Sequence, residues 1–200
     1  MPTALSRNAL LVKYFAQVYA GIPRKHLVKF IYEADVLARE YLGRPLSTFT
    51  YRKDAYGPYD PAIKEAVQEL IAAGHVEEKR DRWVVGWGEW EGAYMRLMDQ
   101  HHPVAFNFDL GESAVLDYVV TNYLDMPFKE FLHDVIYETL PMKAAGPKGS
   151  RLPMELSDHA GTRKVGFHLD EVLSAEEAGR RGEFITLSAF VAELRAQAPA

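Results

Sequence analysis

The stretch DAYGPYDPAIKEAVQELIAAGHVE, residues 54–77, joins a tight turn to an amphipathic helix. Gly57-Pro58 predicts the turn, Asp60 is a suitable N-cap, and Pro61 fits the first helical position, where a missing N–H costs nothing. The predicted helix, 60–73, carries one apolar stripe made of Ile63, Ala66, Val67, Leu70 and Ile71. This part of the chain therefore packs one helical face against a core.

Two further helices are predicted upstream, at 7–20 and 23–42. In both, apolar residues recur at steps of three and four, which is the helical period. Gly43 ends the second helix, because glycine adopts a positive φ without steric cost. The alternation in TFTYRK, residues 48–53, predicts a short strand before the turn.

Downstream, HVEEKRDRWVVGW predicts a β-hairpin with a charged turn at Lys79–Asp81. EWEGAYMRLMDQ, residues 89–100, predicts a helix. The order helix, helix, strand, helix, hairpin resembles a winged-helix unit. The sequence therefore predicts a mainly α (α+β) fold, a compact helical domain that contains a winged-helix-like helix-strand-helix-hairpin unit.

The second half of the chain is predicted to be helical with one long interruption. Asp109 and Glu112 resemble a capping box before a helix at 112–124, and another helix is predicted at 127–140. Glycine and proline dominate from Pro141 to about residue 165, which predicts a long loop. A last helix is predicted at 186–197.

Composition narrows the possible classes of protein. The 200 residues are 48% hydrophobic and 26% charged, which suits a globular domain rather than a disordered chain. The absence of cysteine excludes disulfides, thiolate metal sites and a cysteine nucleophile. No apolar run is long enough to span a membrane and no signal peptide is visible, so we expect a soluble, cytoplasmic protein without membrane association.

No catalytic motif is present in the sequence. HExxH, GxSxG, GxGxxG and the P-loop are all missing, and no two histidines share a helical face. We therefore expect no metal, no cofactor and no enzymatic activity. An enzyme that uses His133 or the His101-His102 pair is the remaining catalytic alternative.

Charge is distributed unevenly and bears on nucleic-acid binding. Residues 1–53 contain nine Lys/Arg and three Asp/Glu, a net of +6, whereas the other 147 residues have a net of −11. The predicted helix 60–73 has a net charge of −2, which opposes insertion between DNA phosphates. A basic face formed by Arg24, Lys25 and Lys29 would be required instead, and DNA binding stays open as the alternative function.

Aromatic residues are dense near the polar loops of the middle region. Tyrosine and tryptophan often dominate protein–protein binding energy, because they bury a large area with few rotatable bonds. We expect Trp83 and Trp90 to lie in the core and Tyr56 and Tyr59 at the surface. The aromatic residues of this region are Tyr51, Tyr56, Tyr59, Trp83, Trp87, Trp90 and Tyr94.

Several of these motifs, taken in order, resemble the Panacea domain of SocA-like antitoxins. The likeness consists of Lys29 and Tyr32 on an apolar helix, Ala34-Asp35, the turn Gly43-Arg44-Pro45, and Tyr56-Gly57-Pro58 before the next helix. The later segment LDYVVTNYLDMPFKEFLHDVIYETLPMKAA is similar to the paired C-terminal helices of that family. The resemblance covers residues 8–155 and implies a domain at 1–155 with a C-terminal extension at 156–200.

The resemblance implies a function in toxin–antitoxin biology. Members of the family neutralise a cognate protein toxin by direct binding, and some hand the toxin to a protease. We therefore expect an antitoxin that has a protein toxin as its partner. The residues predicted to contact that partner are Tyr51, Arg52, Tyr56, Gly57, Pro58, Tyr59, Lys148, Arg151, Arg163 and Lys164.

Overall fold

The computed structural model describes residues 4–85, 90–102 and 104–158, with residues 81–85 and 90–95 described by their backbone. Within these ranges helices combine with two small antiparallel sheets, so the predicted α+β composition is confirmed. The predicted helix 186–197, most of the C-terminal extension, and the predicted contacts Arg163 and Lys164 lie outside the described residues.

Four predicted helices are confirmed, the first three from their apolar periodicity and the fourth from its capping box. They are α1 (Arg7–Val18), α2 (Arg24–Leu42), α3 (Ala62–Ala72) and α4 (Leu110–Tyr123). Ser6 begins α1 by accepting a hydrogen bond from the Ala9 N–H at 3.1 Å. Gly43 ends α2 with a φ of 68°, as expected for a glycine C-cap.

The strand predicted at 48–53 is displaced toward the turn. The observed strands are β2 (Arg52–Asp54) and β3 (Gly57–Tyr59), joined by a two-residue loop. Gly57-Pro58 therefore lies in a strand, and the predicted turn at this dipeptide is wrong. Residue 50 stays outside the ladder because its N–H donates to the Asp60 carboxylate, which also accepts the Ala62 N–H at 2.9 Å at the start of α3.

The second sheet corrects two predictions. A short strand β1 (Ile22–Pro23) pairs with β5 (Trp90–Asp99), which pairs with β4 (Val76–Val85) from Val76↔Asp99 to Val85↔Trp90. Lys79–Asp81 is thus part of a continuous strand rather than a turn, and the predicted helix 89–100 is a strand. β5 is the central strand of this sheet, and its hydrogen bonds to β1 and β4 stabilise residues 90–99 as a strand rather than a helix.

The capping box before α4 is confirmed. Asp109 accepts the Glu112 N–H at 2.8 Å, and Glu112 accepts the Asp109 N–H at 3.0 Å. Arg7 lies 2.5 Å from the Glu112 carboxylate, and Arg44 contacts the same carboxylate. Burial would raise the pKa of Glu112, but hydrogen bonds from the two arginines outweigh that effect and lower it.

The predicted helix 127–140 is shorter and irregular. It comprises α5 (Phe128–Glu130) and a π-helical segment (Phe131–Ile136). The loop predicted from Pro141 also contains regular structure, namely α6 (Leu140–Lys143) and a 3₁₀ turn (Met154–Ser157). Leu152 and Met154 are buried in the core, which explains why this glycine-rich segment is held in place.

Helix α2 forms the centre of the molecule. Its apolar residues, including Phe30, Ile31 and Leu37, are almost completely buried between the other helices and the sheets. None of the helices within the described ranges combines the length and hydropathy needed to cross a membrane. The central helix also carries buried charged residues, and these organise the loop that follows it.

Candidate functional site

The site is built on polar residues that α2 buries within its apolar surroundings. Lys29, Glu33 and Asp35 are at most 4% exposed, and Tyr32 is fully buried. Burying such groups is costly unless they are paired, so their partners indicate what they are for. The partners of Lys29, Tyr32 and Asp35 lie in the loop and hairpin at residues 46–59 and in the segment that follows the π-helical turns.

Asp35 fixes the start of this loop. Its carboxylate accepts the backbone N–H groups of Leu46 and Ser47, each at 2.8 Å, and also contacts the Ser47 hydroxyl. The Tyr51 hydroxyl donates to the same carboxylate at 2.7 Å. Burial raises the pKa of Asp35, and the four hydrogen bonds partly offset this rise. The Asp35 carboxylate thus accepts hydrogen bonds from buried backbone N–H groups of the loop that water cannot reach.

Lys29 fixes the hairpin formed by β2 and β3. Its ammonium group donates to the Pro58 carbonyl at 2.7 Å. Gly57 has a φ of +92°, and a Cβ there would lie 3.2 Å from Tyr137 Cε1 and 3.4 Å from Lys29 Cε. Glycine is therefore required by both backbone conformation and close packing. Burial lowers the pKa of Lys29 to about 8.

Tyr32 connects the same helix to the chain beyond the π-helical segment. Its hydroxyl lies 2.7 Å from the Thr139 hydroxyl, which donates to the Ile136 carbonyl at 2.9 Å. The rings of Tyr32 and Tyr51 meet edge to face with centroids 5.1 Å apart. The tyrosine therefore bridges the loop on one side and the later helices on the other.

The anchored hairpin presents an aromatic residue at its tip. Tyr56 lies in the two-residue loop and is 77% exposed, the largest exposure among the large apolar residues described. Arg52 is exposed on β2, and its cross-strand partner Tyr59 is half-buried. An exposed tyrosine on a fixed backbone is typical of a protein-binding anchor.

A third segment extends this surface on the other side of β2. The Lys53 N–H donates to the Ser150 carbonyl at 2.9 Å, and the Gly149 N–H donates to the Lys53 carbonyl at 2.7 Å. Arg151 lies opposite Arg52 in a single β-bridge. The structure thus brings together five of the predicted contacts, which we call the hairpin surface: Arg52, Tyr56, Tyr59, Lys148 and Arg151.

Three other predicted contacts do not face a partner. Tyr51 is 1% exposed, and Gly57 and Pro58 are buried. A direct contact with another protein, expected for these three residues, is incompatible with that burial. They hold the hairpin against α2 instead. Sequence reasoning missed the anchoring roles of Lys29 and Asp35, although charged residues inside an apolar helical stripe were a visible indication.

Three of the seven histidines, namely His75, His101 and His102, form a separate cluster beside β5. His101 Nδ1 lies 3.0 Å from the Asp99 carboxylate, and the rings of His75 and His102 are 5.8 Å apart. A cavity of about 360 Å³ lies here and is lined by Gln17, Asp99, His101, His102 and Val104. The buried Lys13 ammonium already neutralises Asp99. In the described ranges, no three His, Asp or Glu side chains are arranged to bind a metal ion.

The three α2 residues that DNA binding would require, Arg24, Lys25 and Lys29, do not form a shared surface. Arg24 lies 3.5 Å from Glu78, Lys25 stacks over the Phe128 ring at 4.5 Å, and Lys29 is buried. On α3, Lys64, Glu65 and Gln68 are exposed. The basic face that DNA binding would need from Arg24, Lys25 and Lys29 is therefore not formed by these residues.

Comparison with known proteins assigns no family and no function to the chain. No family model, no curated protein sequence and no solved structure matches the chain.

Proposed function

We propose that this protein is an antitoxin that neutralises a cognate protein toxin by binding it through the hairpin surface. The observation that carries the proposal is the exposed Tyr56 on a hairpin that the buried Lys29 ties to the central helix. The resemblance to the Panacea domain supports it, because Lys29, Asp35 and Gly57 in the shared motifs contribute to anchoring this loop and hairpin.

Rigid anchoring favours tight capture. Association costs free energy when loops and side chains become ordered, and a hairpin that is already fixed avoids much of that cost. Tyr56 would supply buried area at the centre of the interface, and Arg52, Lys148 and Arg151 would lie at its rim. Stoichiometric binding that covers the toxin's active surface is then sufficient for neutralisation. Delivery of the captured toxin to a protease is a further step that the same surface could serve.

The test combines co-expression with binding measurements. The product of an adjacent gene should be lethal alone and harmless when co-expressed with this chain. Tyr56→Ala should weaken capture of that product by about 1–2 kcal/mol without unfolding the protein. Val18→Ala is the matched control, because it removes an exposed apolar side chain at the end of α1, outside the hairpin surface. An innocuous neighbour would refute the proposal, and unchanged capture by a Tyr56/Tyr59 double variant would exclude these two residues from the site.

A DNA-binding regulator is the second candidate. It is supported by the element order α1, β1, α2, β2, β3, α3, β4, β5, which is a winged-helix-like order with β2 and β3 inserted before α3, and by the sheet order β1-β5-β4. The acidic residues on α3 and the burial of Lys29 count against it. A gel shift on the gene's own promoter at low and high salt separates the candidates, because phosphate contacts give a steep salt dependence.

A further inference from the structure

We propose that Arg52 and Arg151 together bind carboxylates of an acidic segment on the partner protein. This inference rests on the proposed function and specifies the chemistry of its surface. It starts from the single β-bridge that places the two arginines directly opposite each other. Both side chains belong to exposed residues.

The backbone hydrogen bonds show how close the two arginines are. The Leu152 N–H donates to the Tyr51 carbonyl at 2.9 Å, and the Lys53 N–H donates to the Ser150 carbonyl at 2.9 Å. These bonds flank the Arg52–Arg151 pair, so it is a non-hydrogen-bonded pair of an antiparallel ladder. In such pairs the Cα atoms are about 4.5 Å apart and the side chains leave the same face. The bridge therefore holds two positive charges side by side.

This arrangement is unfavourable in the isolated protein. Like charges directly opposite each other destabilise a β-pairing. Other arginines of this chain have carboxylate partners: Arg7 with Glu112, Arg24 with Glu78, Arg39 with Asp158 and Arg44 with Asp109. In the part of the chain that the structure describes, no ion pair involves Arg52 or Arg151, and the nearby Asp54 lies 3.4 Å from Lys148 instead. A binding partner can supply the missing negative charge.

The chemistry of the surroundings favours a carboxylate on a polypeptide. The guanidinium fork matches a carboxylate with two parallel hydrogen bonds. Tyr59 is the other cross-strand neighbour of Arg52, so a tyrosine and two arginines form one row across three segments. Arginine and tyrosine are the residue types enriched in protein interfaces. Two arginines beside the Asp54 carboxylate form a small site rather than the extended basic track that the continuous phosphates of a nucleic acid require.

The binding test uses the full chain and defined probes. Fluorescence anisotropy would compare a labelled peptide of alternating glutamate and glycine, its glutamine counterpart, and a single-stranded oligonucleotide of equal charge. The glutamate peptide should bind, the glutamine peptide should not, and added salt should weaken binding. Arg52→Gln and Arg151→Gln should each weaken binding of the glutamate peptide by roughly tenfold. Arg80→Gln, which removes an exposed arginine from β4, is the matched control and should have little effect.

Three outcomes would overturn the inference. The first is that the glutamate peptide fails to bind, and the second is that Arg80→Gln weakens binding as much as the two test variants. The third is that the oligonucleotide binds more tightly than the peptide in a manner that depends on Arg52. Thermal unfolding gives an independent readout, because relief of the like-charge pair should leave the melting temperature of Arg52→Gln unchanged or higher. A lower melting temperature would assign the arginine a structural role and contradict the proposal.

The outcome also separates this inference from the proposed function. Should the adjacent gene product prove innocuous while the glutamate peptide still binds through both arginines, the antitoxin function fails and the carboxylate site stands. If an Arg52/Arg151 double variant captures a genuine toxin as well as the wild type does, capture stands and the carboxylate site is refuted.

Discussion

Lys29 places an ammonium group in the interior at the point where β3 meets α2. Its side chain is 4% exposed and its hydrogen-bond partner there is the Pro58 carbonyl. The attraction of Asp54 counteracts only part of the cost of burial, so the pKa remains low at about 8. Lys29 therefore has two opposing effects on stability: its hydrogen bond fixes the hairpin, and the desolvation of its charge is unfavourable.

The lowered pKa predicts an unusual dependence of stability on pH. Lysine in the unfolded chain titrates near 10.5 and Lys29 in the folded protein near 8. Between these values the unfolded state binds the additional proton, so the contribution of Lys29 to the free energy of unfolding rises with pH, by on the order of 3 kcal/mol in total. Below about pH 8 the contribution is constant, because both states are protonated.

Urea denaturation of the wild type and Lys29→Met across this range isolates the effect. The stability of the wild type relative to the variant should increase from pH 8 to pH 10.5. Lys64→Met removes an exposed lysine from α3 and controls for the loss of a surface charge. A difference between wild type and Lys29→Met that stays constant across the range would contradict the burial of the ammonium group.

At the scale of elements, local periodicity was sufficient for the helices but not for the large hairpin. The apolar stripes of α1, α2 and α3 and the capping box of α4 are local features, so the sequence predicted these helices within a few residues. In β4, charges such as Lys79 and Arg80 are tolerated because β4 is an edge strand, and they resemble a polar turn. β5 contains good helix formers, and pairing with two distant strands overrides that preference.

The candidate site was predictable in its location but not in its construction. Exposure of Tyr56 follows from its position in a turn, and the hairpin brings Arg52 and Tyr59 together by local pairing. The approach of residues 148–152 to β2 depends on contacts across about a hundred residues, which no local pattern encodes. Tyr51 was predicted to contact the partner at the surface but is buried. The sequence does not reveal that its hydroxyl has the buried Asp35 carboxylate as a partner.

The seating of the hairpin on the helices can be tested through two glycines. Gly57 and Gly149 share a φ of +92°, but only a Cβ at Gly57 would contact other side chains, those of Tyr137, Lys29 and Leu132. Gly149→Ala should cost about 1–2 kcal/mol of stability from backbone strain alone. Gly57→Ala should cost at least about 1 kcal/mol more, because the added methyl group overpacks the contact.

The two alanine variants differ in packing and not in φ, so their difference in the free energy of unfolding measures the fit between hairpin and helices. Urea denaturation monitored by circular dichroism provides both values. If both variants lose the same free energy of unfolding, the hairpin moves to accommodate the added methyl group. The hairpin surface would then not be rigid and preorganised.

At the scale of the whole molecule, the hydrophobic core of the described residues extends to Met154. It runs from Ala9 in α1 through the buried face of α2 to Leu152 and Met154. Among the residues whose burial the structure describes, the exposed large hydrophobic residues are few and separate, namely Val18, Tyr56 and Leu156. The segment 149–152 also completes the backbone partners of residues 51–53. These contacts make the segment up to Met154 part of the described core, and we predict that the folding unit ends just beyond it.

This boundary predicts opposite results for two truncations. A chain of residues 1–158 keeps every described core residue and should unfold cooperatively, with stability close to that of the full chain. A chain of residues 1–146 loses Leu152 and Met154, whose burial contributes about 3–6 kcal/mol, and it also loses the hydrogen bonds to residues 51–53. Because that loss is comparable to the whole stability of a typical domain, the shorter chain should be largely unfolded.

Leu152→Ala/Met154→Ala in the full chain separates the effect of core packing from that of truncation. Circular dichroism with urea denaturation measures the stability of all three proteins. An unfolded 1–158 chain would show that residues beyond 158 belong to the core, and the boundary would have to be moved.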